Sequence, residues 1–312
     1  MTFPRRAGRV AGGLMLILAC LLLAVYFPEV TYHSRTLARL HDFAHLPLFC
    51  MVALIMVAIW PGNLFAQNRL RPLPALRLWL AALLAGILVE LLQARQGRIP
   101  EMMDIVTDGA GAAIALLLAT GHRGGHWRWM LPPVLIVVLV FATPVLLSAW
   151  DEELARRQFP LLADFETRLQ TDRFGPSHSR LRRIIDPESP TNHLLEVRFL
   201  PDMFPRFKLR DLPRDWSQFS AFTFTCINPE SEPFFLIFRV DDIHHDNRPA
   251  DRYTLRVNLA PGRHVIEVPL AAVASAPDTR PMDMTAIAGV ILYGYKLEKP
   301  RVLLFDDFRL VP

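Results

Sequence analysis

Cysteine is nearly absent from this chain, with three in 312 residues. Cys20 and Cys50 lie in apolar runs, leaving Cys226 alone in the polar part. That set builds neither a disulfide framework nor a cysteine-based zinc site. Charge is also scarce, at 21% against 52% hydrophobic. Such proportions exclude a disordered chain and count against a wholly soluble one. The scarcity is uneven: residues 1–150 hold 12 Lys/Arg and 6 Asp/Glu, residues 151–312 hold 22 and 24. The basic balance therefore belongs to the apolar half. Nucleic acid is not an expected partner, and no basic face is indicated in the second half. No small-x-small cleavage site precedes Pro28, so the first apolar run reads as a span rather than a signal peptide. Ile17-Leu18-Ala19-Cys20 has a lipoprotein-like outline, but the run continues to Val25. No Ser-His-Asp arrangement or catalytic carboxylate pair can be placed in the second half.

What the first half has is five apolar stretches, at about 10–28, 44–66, 75–94, 102–120 and 129–149. Each is long enough for a bilayer core of about 30 Å, which takes roughly 20 helical residues. Basic residues in short loops set orientation. With the N-terminus in the cytoplasm, eight arginines (5, 6, 9, 69, 71, 77, 123, 128) lie inside and four (35, 39, 95, 98) outside. Five spans then carry residues 151–312 to the extracytoplasmic, periplasmic side of the cytoplasmic (inner) membrane. All six acidic residues of this half (Glu29, Asp42, Glu90, Glu101, Asp104, Asp108) fall near the outer side. Acidic residues weigh little in topology, so their one-sidedness reads as a site.

That site is expected at the outer ends of three helices. His41 and His45 share a face at the start of the second span, Glu90 and Gln93 close the third, and Asp104 and Asp108 open the fourth. Arg98 and Glu101 lie in the turn between. Ionisable groups within a membrane usually face a bundle interior, a partner or a cavity. The cluster can fix helix register through ion pairs with Arg95 or Arg98, hold a polar headgroup, or hold a divalent metal through its histidines and carboxylates. Gly109, Gly111, Ala112 and Ala115 give the fourth helix a smooth packing face.

These residues resemble the VanZ-like family of bacterial membrane proteins over about 38–120. The resemblance is carried by His45, by Glu90-Leu91-Leu92-Gln93, by Arg98, and by Asp104-Ile105-Val106-Thr107-Asp108-Gly109-Ala110-Gly111. Asp108 stands where Asn is usual, and His41-Asp42 replaces a common Asp-Lys pair. The resemblance implies a cell-envelope role, one member being linked to glycopeptide-antibiotic resistance, and no established reaction.

After Trp150 the pattern changes. Asp151-Glu152-Glu153 to Arg156-Arg157 reads as a charged linker, 151–157. Alternation then marks strands at 195–199, 222–226 and 255–259. Further strands are expected at 164–168, 234–240, 265–269, 290–295 and 302–310, separated by turns such as Asn228-Pro229 and Pro261-Gly262. Eight or nine short strands over 158–312 suggest an all-β sandwich or jelly roll. Asp164-Phe165-Glu166, Asp215-Trp216-Ser217, Ala260-Pro261-Gly262 and the closing Phe305-Asp306-Asp307-Phe308-Arg309-Leu310 resemble galactose-binding-like jelly rolls of the carbohydrate-binding type. That resemblance implies neighbouring first and last strands. Glu166, Asp306 and Asp307 could then supply oxygen ligands to a structural Ca²⁺, or simply cap and solvate strand ends. Asp241, Asp242 and His244 in a polar loop, with Tyr253, Tyr293 and Tyr295, are ligand candidates. Trp216 is expected in the core.

The reading is multi-domain, α then β: a five-helix transmembrane bundle followed by a jelly roll. The expected role is binding or accessory, with saccharide recognised by the β-domain and a lipid headgroup or lipid-linked precursor engaged at the helix ends. A membrane enzyme using Glu90 or Asp104 as base and His45 as acid or metal ligand is one alternative. A small transporter is the other, though no acidic residue continues a polar path through the inner half.

Overall fold

The computed structural model of the chain describes residues 3–26, 34–60, 64–67, 69–96, 101–210 and 212–312. Glu29 and Arg98 lie outside the described residues. The chain divides into two compact units, 1–149 and 150–312.

The first unit is built on five helices long and apolar enough to cross a membrane: α1 (Phe3–Tyr26), α2 (Arg35–Ile59), α3 (Pro72–Ala94), α4 (Met102–Gly124) and α5 (Trp127–Gln158). Their ends follow local chemistry. Ser34 caps α2 by accepting the Leu37 amide at 3.2 Å. Arg35 to Phe43 continue the helix below the apolar run, so α2 begins nine residues before the expected 44. It stops at Ile59 rather than 66, because Trp60 precedes Pro61 and is pushed out of the helical region (φ −121°, ψ 52°). A small hairpin, β1 (Phe65–Ala66) with β2 (Arg69–Leu70), follows. Pro72 opens α3, where its missing N–H costs nothing. Gly125, in the left-handed region at φ 69°, closes α4.

The smooth face of α4 packs as its composition demands. A Cβ on Gly111 would run into the Leu46 carbonyl and sit 2.9 Å from the Cys50 amide of α2. On α3, Trp79 donates its indole N–H to the Gly109 carbonyl at 2.8 Å. Helix α4 is thus clamped between α2 and α3.

The second unit is an antiparallel β-sandwich. Its strands are β3 (Leu161–Ala163), β4 (Phe174–Ser177), β5 (Ser179–Asp186), β6 (Ser189–Phe199), β7 (Arg206–Leu209), β8 (Ala221–Asn228), β9 (Phe234–Asp242), β10 (Tyr253–Leu259), β11 (Gly262–Pro269), β12 (Ile287–Tyr293) and β13 (Arg301–Val311). A short helix, α6 (Leu270–Ala274), follows β11. One sheet runs β10-β9-β12-β7-β4. The other runs β11-β8-β13-β6-β5, with β3 also on β13, so the first and last strands are neighbours. Inward residues of both sheets make one core. Phe224 meets Phe238 at 5.6 Å and Phe305 meets Phe207 at 5.0 Å across it. Trp216 is fully buried, stacked on Phe222, its N–H donated to the Pro213 carbonyl at 2.7 Å.

Three expectations need correction. Residues 151–157 are no linker but the last turns of α5. Glu153 pairs with Arg157 one turn on, at 2.8 Å, which supports a helix there. Residues 164–168 form no strand, since Phe165 adopts φ 57° and breaks the extended run that Leu161–Ala163 begins. Strands β4, β5 and β7 were not anticipated. Proline and glycine in β4 and dense arginine in β5 hide their alternation.

Candidate functional site

At the helix ends, α2 supplies His45, α3 supplies Glu90, and α4 supplies Asp104 and Asp108. His45 is 5% exposed, Glu90 4% and Asp108 0%. The His45 Nδ1 lies 3.0 Å from Asp108 Oδ1, and its Nε2 lies 4.0 Å from Asp104 Oδ2. With Asp108 as acceptor, Nδ1 carries a proton, and Nε2 faces Asp104. Phe49 stacks on the imidazole one turn on, with ring centres 6.3 Å apart. Glu90 Oε2 accepts the Glu101 amide at 3.1 Å. One ligand atom each from His45, Glu90 and Asp104 lies within 4.8 Å of the others. Glu90 Oε1 and Asp108 Oδ2 are buried with no hydrogen-bond partner among the described residues.

The other expected members of this cluster stand apart. Gln93 donates to the Ala24 carbonyl at 3.0 Å, tying α3 to α1. Asp42 pairs with Arg39 at 3.7 Å on the exposed side of α2. His41 approaches His45 edge-on, with ring centres 6.3 Å apart. What converges is thus one imidazole and carboxylates, an arrangement suited to a cation.

In the β unit, alternation puts Leu236, Phe238 and Val240 of β9 in the core and turns Arg239 and Asp241 to the opposite face. Register aligns two rows across that face. One runs Arg256, Ile237, Tyr293, Arg206, Ser177; the next runs Thr254, Arg239, Ile291, Lys208, Gly175. Asp241 pairs with Arg239 and lies opposite Gly289. The missing side chain of Gly289 leaves room there, since a Cβ would sit 3.1 Å from Asp241 Oδ2 and 3.3 Å from Lys208 Nζ. Four cations and one carboxylate therefore share a sheet face, although the second half is net acidic by composition. This basic face corrects the composition-based expectation, because strand alternation sorts charges that a sum over sequence mixes.

Beside this face lies an aromatic group. Phe204 is 5.5 Å from Tyr295 and 6.3 Å from Tyr293 between ring centres, and Lys296 lies 5.2 Å over Tyr295. Phe204 and Tyr295 are about half exposed. Their two loops are tied by backbone bonds: Gly294 N–H to Pro205 O at 3.0 Å, Lys296 N–H to Met203 O at 2.9 Å and Leu297 N–H to Asp202 O at 3.0 Å. The platform is held in shape before any ligand arrives. Phe204 escaped notice in the sequence because it lies in an irregular loop; an aromatic beside Asp202, whose side chain accepts the Phe204 amide at 2.8 Å, was the available signal.

Of the other candidates, Tyr253 opposes Val240 and packs against the core, and burial pushes its hydroxyl pKa up. Asp242 receives Arg280 at 2.5 and 2.8 Å and the Asp283 amide at 2.8 Å. Burial opposes its charge, but the Arg280 bonds prevail and hold its pKa below the usual carboxylate range. His244 is exposed, 3.7 Å from Asp283. These three serve the loop and core, not the face.

The Ca²⁺ set does not assemble. Glu166 accepts the His193 amide and ring N–H, both at 3.0 Å, and Asp307 pairs with Arg309. Asp306 accepts Asn192 at 3.0 Å. Among the described residues the three are not a set with oxygens within 4.8 Å of one another. Burial pushes the Asp306 carboxyl up to about 6; the Asn192 bond offsets this in part and neighbouring Asp307 adds to it.

No family model matches the chain, so the VanZ-like resemblance rests on its motifs. No curated protein matches it. Solved structures match part of it. An exo-β-agarase is 15% identical over 49% of this chain and 24% of its own, at a TM-score of 0.40. Another agarase is 18% identical over 48% and 26%, at 0.38. A family 11 carbohydrate-binding module from Clostridium thermocellum, solved with a β-1,3-1,4-mixed-linked tetrasaccharide, is 16% identical over 48% of this chain and 94% of its own, at 0.36. The chain spans about a quarter of the length of the two agarases.

Proposed function

We propose that this chain is a membrane-anchored glycan-binding protein of the bacterial envelope whose β unit takes an anionic saccharide on the outer face of its five-stranded sheet. The observation that carries this is the pairing of Phe204, Tyr293 and Tyr295 with Arg206, Lys208, Arg239 and Arg256. Sugar rings stack on aromatic faces, and guanidinium forks match carboxylate, sulfate or phosphate oxygens. The loop-arginine bias supports a cytoplasmic N-terminus in the inner membrane and a β unit on the extracytoplasmic side. The helix-end cluster adds a polar contact within the membrane. Its buried carboxylates disfavour a bare phosphate and favour a bound cation between the cluster and the headgroup of a lipid or lipid-linked precursor. The motifs of residues 38–120 support placing it with VanZ-like proteins. An enzyme acting on such a precursor is the alternative, favoured by the convergence of His45, Glu90 and Asp104.

The test is binding of residues 150–312, and of the full chain in detergent, to neutral and uronate- or phosphate-bearing oligosaccharides over a salt series. Saturable, salt-weakened binding to an anionic class is expected, and Tyr293→Ala or Arg206→Ala should each lower affinity about tenfold, equivalent to about 1.4 kcal/mol. Absence of binding by folded protein across the anionic panel refutes the reading.

A further inference from the structure

A buried carboxylate oxygen without a partner is costly, and Glu90 Oε1, unpartnered among the described residues beside an imidazole and a second carboxylate, asks for a positive charge. We infer that His45, Glu90 and Asp104 bind a divalent transition-metal ion, with Asp108 as the positioning residue behind the imidazole. Each ligand comes from a different helix. His45 Nε2 and Asp104 Oδ2 stand 4.0 Å apart, a few tenths of an ångström beyond the roughly 3.4 Å that two donors span on a tetrahedral ion, so a small inward shift of the rim side chain Asp104 completes the pair. Asp108 holds Nδ1 at 3.0 Å, the outer-shell contact that metal-bound histidines characteristically make. The Glu101 amide holds one oxygen of Glu90 and leaves Oε1 unpartnered among the described residues in a side chain more than nine-tenths buried. Two ligand carboxylates balance a doubly charged ion. Asp104, whose side chain is 15% exposed, stands at the rim and gives a way in. An imidazole in the set selects transition metals over Mg²⁺ and Ca²⁺, which take oxygen ligands.

The competing arrangement is a protonated His45 held between Asp104 and Asp108 with no ion. Titration of the chelator-stripped full chain in detergent with ZnCl₂, read by calorimetry with MgCl₂ as control, separates the two. One Zn²⁺ per chain is expected, with Mg²⁺ at least tenfold weaker. Asp104→Asn should lower Zn²⁺ affinity at least tenfold with helix content and elution volume unchanged. Asp108→Asn should lower it about 10–100-fold. No stoichiometric uptake by the wild type, equal uptake by Asp104→Asn, or equal affinity for Mg²⁺ overturns the inference. Should the variants fail to fold, X-ray absorption of the Zn²⁺-loaded wild type decides: a nitrogen-and-oxygen first shell supports the site, and a sulfur-containing or all-oxygen shell overturns it.

Discussion

The two units treat buried acid in opposite ways. In the β unit, Asp151, Asp186, Asp242 and Asp251 each meet a guanidinium: Arg173 at 2.8 Å, Arg263 at 2.8 Å, Arg280 at 2.5 Å and Arg280 again at 2.9 Å. In the helical unit, Glu90 and Asp108 keep an oxygen without any partner among the described residues. An aqueous fold can draw on 22 basic residues in its half of the chain to close most such charges. A membrane bundle tolerates few, and those it retains tend to serve a function. A buried carboxylate is thus mostly closed by arginine in one unit and left with an open oxygen in the other.

The comparison breaks most sharply at Arg173. Its guanidinium spans Asp151 at 2.8 and 3.0 Å and the Leu162 carbonyl at 2.6 Å, fully buried. Removing one member of a buried pair leaves an uncompensated charge. Arg173→Ala is expected to destabilise the β unit by about 3–5 kcal/mol in denaturant titration. A loss below about 1 kcal/mol would mean that Asp151 finds water or another partner, and the contrast between the units would fail.

A smaller effect of the same origin is expected at the boundary. A fragment starting at 158 lacks Asp151 and leaves Arg173 with the Leu162 carbonyl alone. It should melt below the 150–312 fragment by several degrees, since about 1 kcal/mol shifts a domain of this size by roughly 2–4 °C. Equal melting would return residues 151–157 to the status of a linker.

Asp306 sharpens the comparison, because it is a buried β-unit acid that accepts from the neutral Asn192. Its folded pKa of about 6 stands above an unfolded value of about 3.9. Between those values the native state binds more protons, so stability falls as pH rises through the window. Asp306→Asn should therefore raise stability by about 1–2 kcal/mol at pH 7.5 and match the wild type near pH 4. A gain that persists at pH 4 would point to packing instead of charge. Asp242, held low by Arg280, has the opposite sign: its contribution is present at neutral pH and is lost as pH falls below the usual carboxylate range. The smallest expected effect is at Tyr293, where alanine should change stability by less than about 0.5 kcal/mol while lowering saccharide affinity. A large stability loss there would recast the platform as part of the core.

The sequence by itself determined the five apolar helices and the strands whose alternation is clean, because run length and alternation follow directly from rise per residue and side-chain period, while β4, β5 and β7 stayed hidden. It also brought Glu90 toward Asp104 and Asp108, since few residues separate α3 from α4, whereas the packing of α2 against α4 brought His45 to them. The sequence placed Trp216 in the core. Tertiary structure decided the rest. Gln93 left the cluster for Ala24 because a helix end chooses among partners that spacing cannot reveal. Asp241 and Asp242, adjacent in sequence, face opposite sides of β9, so one joins the basic face and the other locks a loop. Charge sums, blind to that alternation, hid the face altogether. Phe204 and Tyr295, far apart in the chain, meet only because backbone hydrogen bonds tie their loops. Local chemistry fixes which residues are polar, apolar or extended, and long-range register alone fixes which of them share a surface.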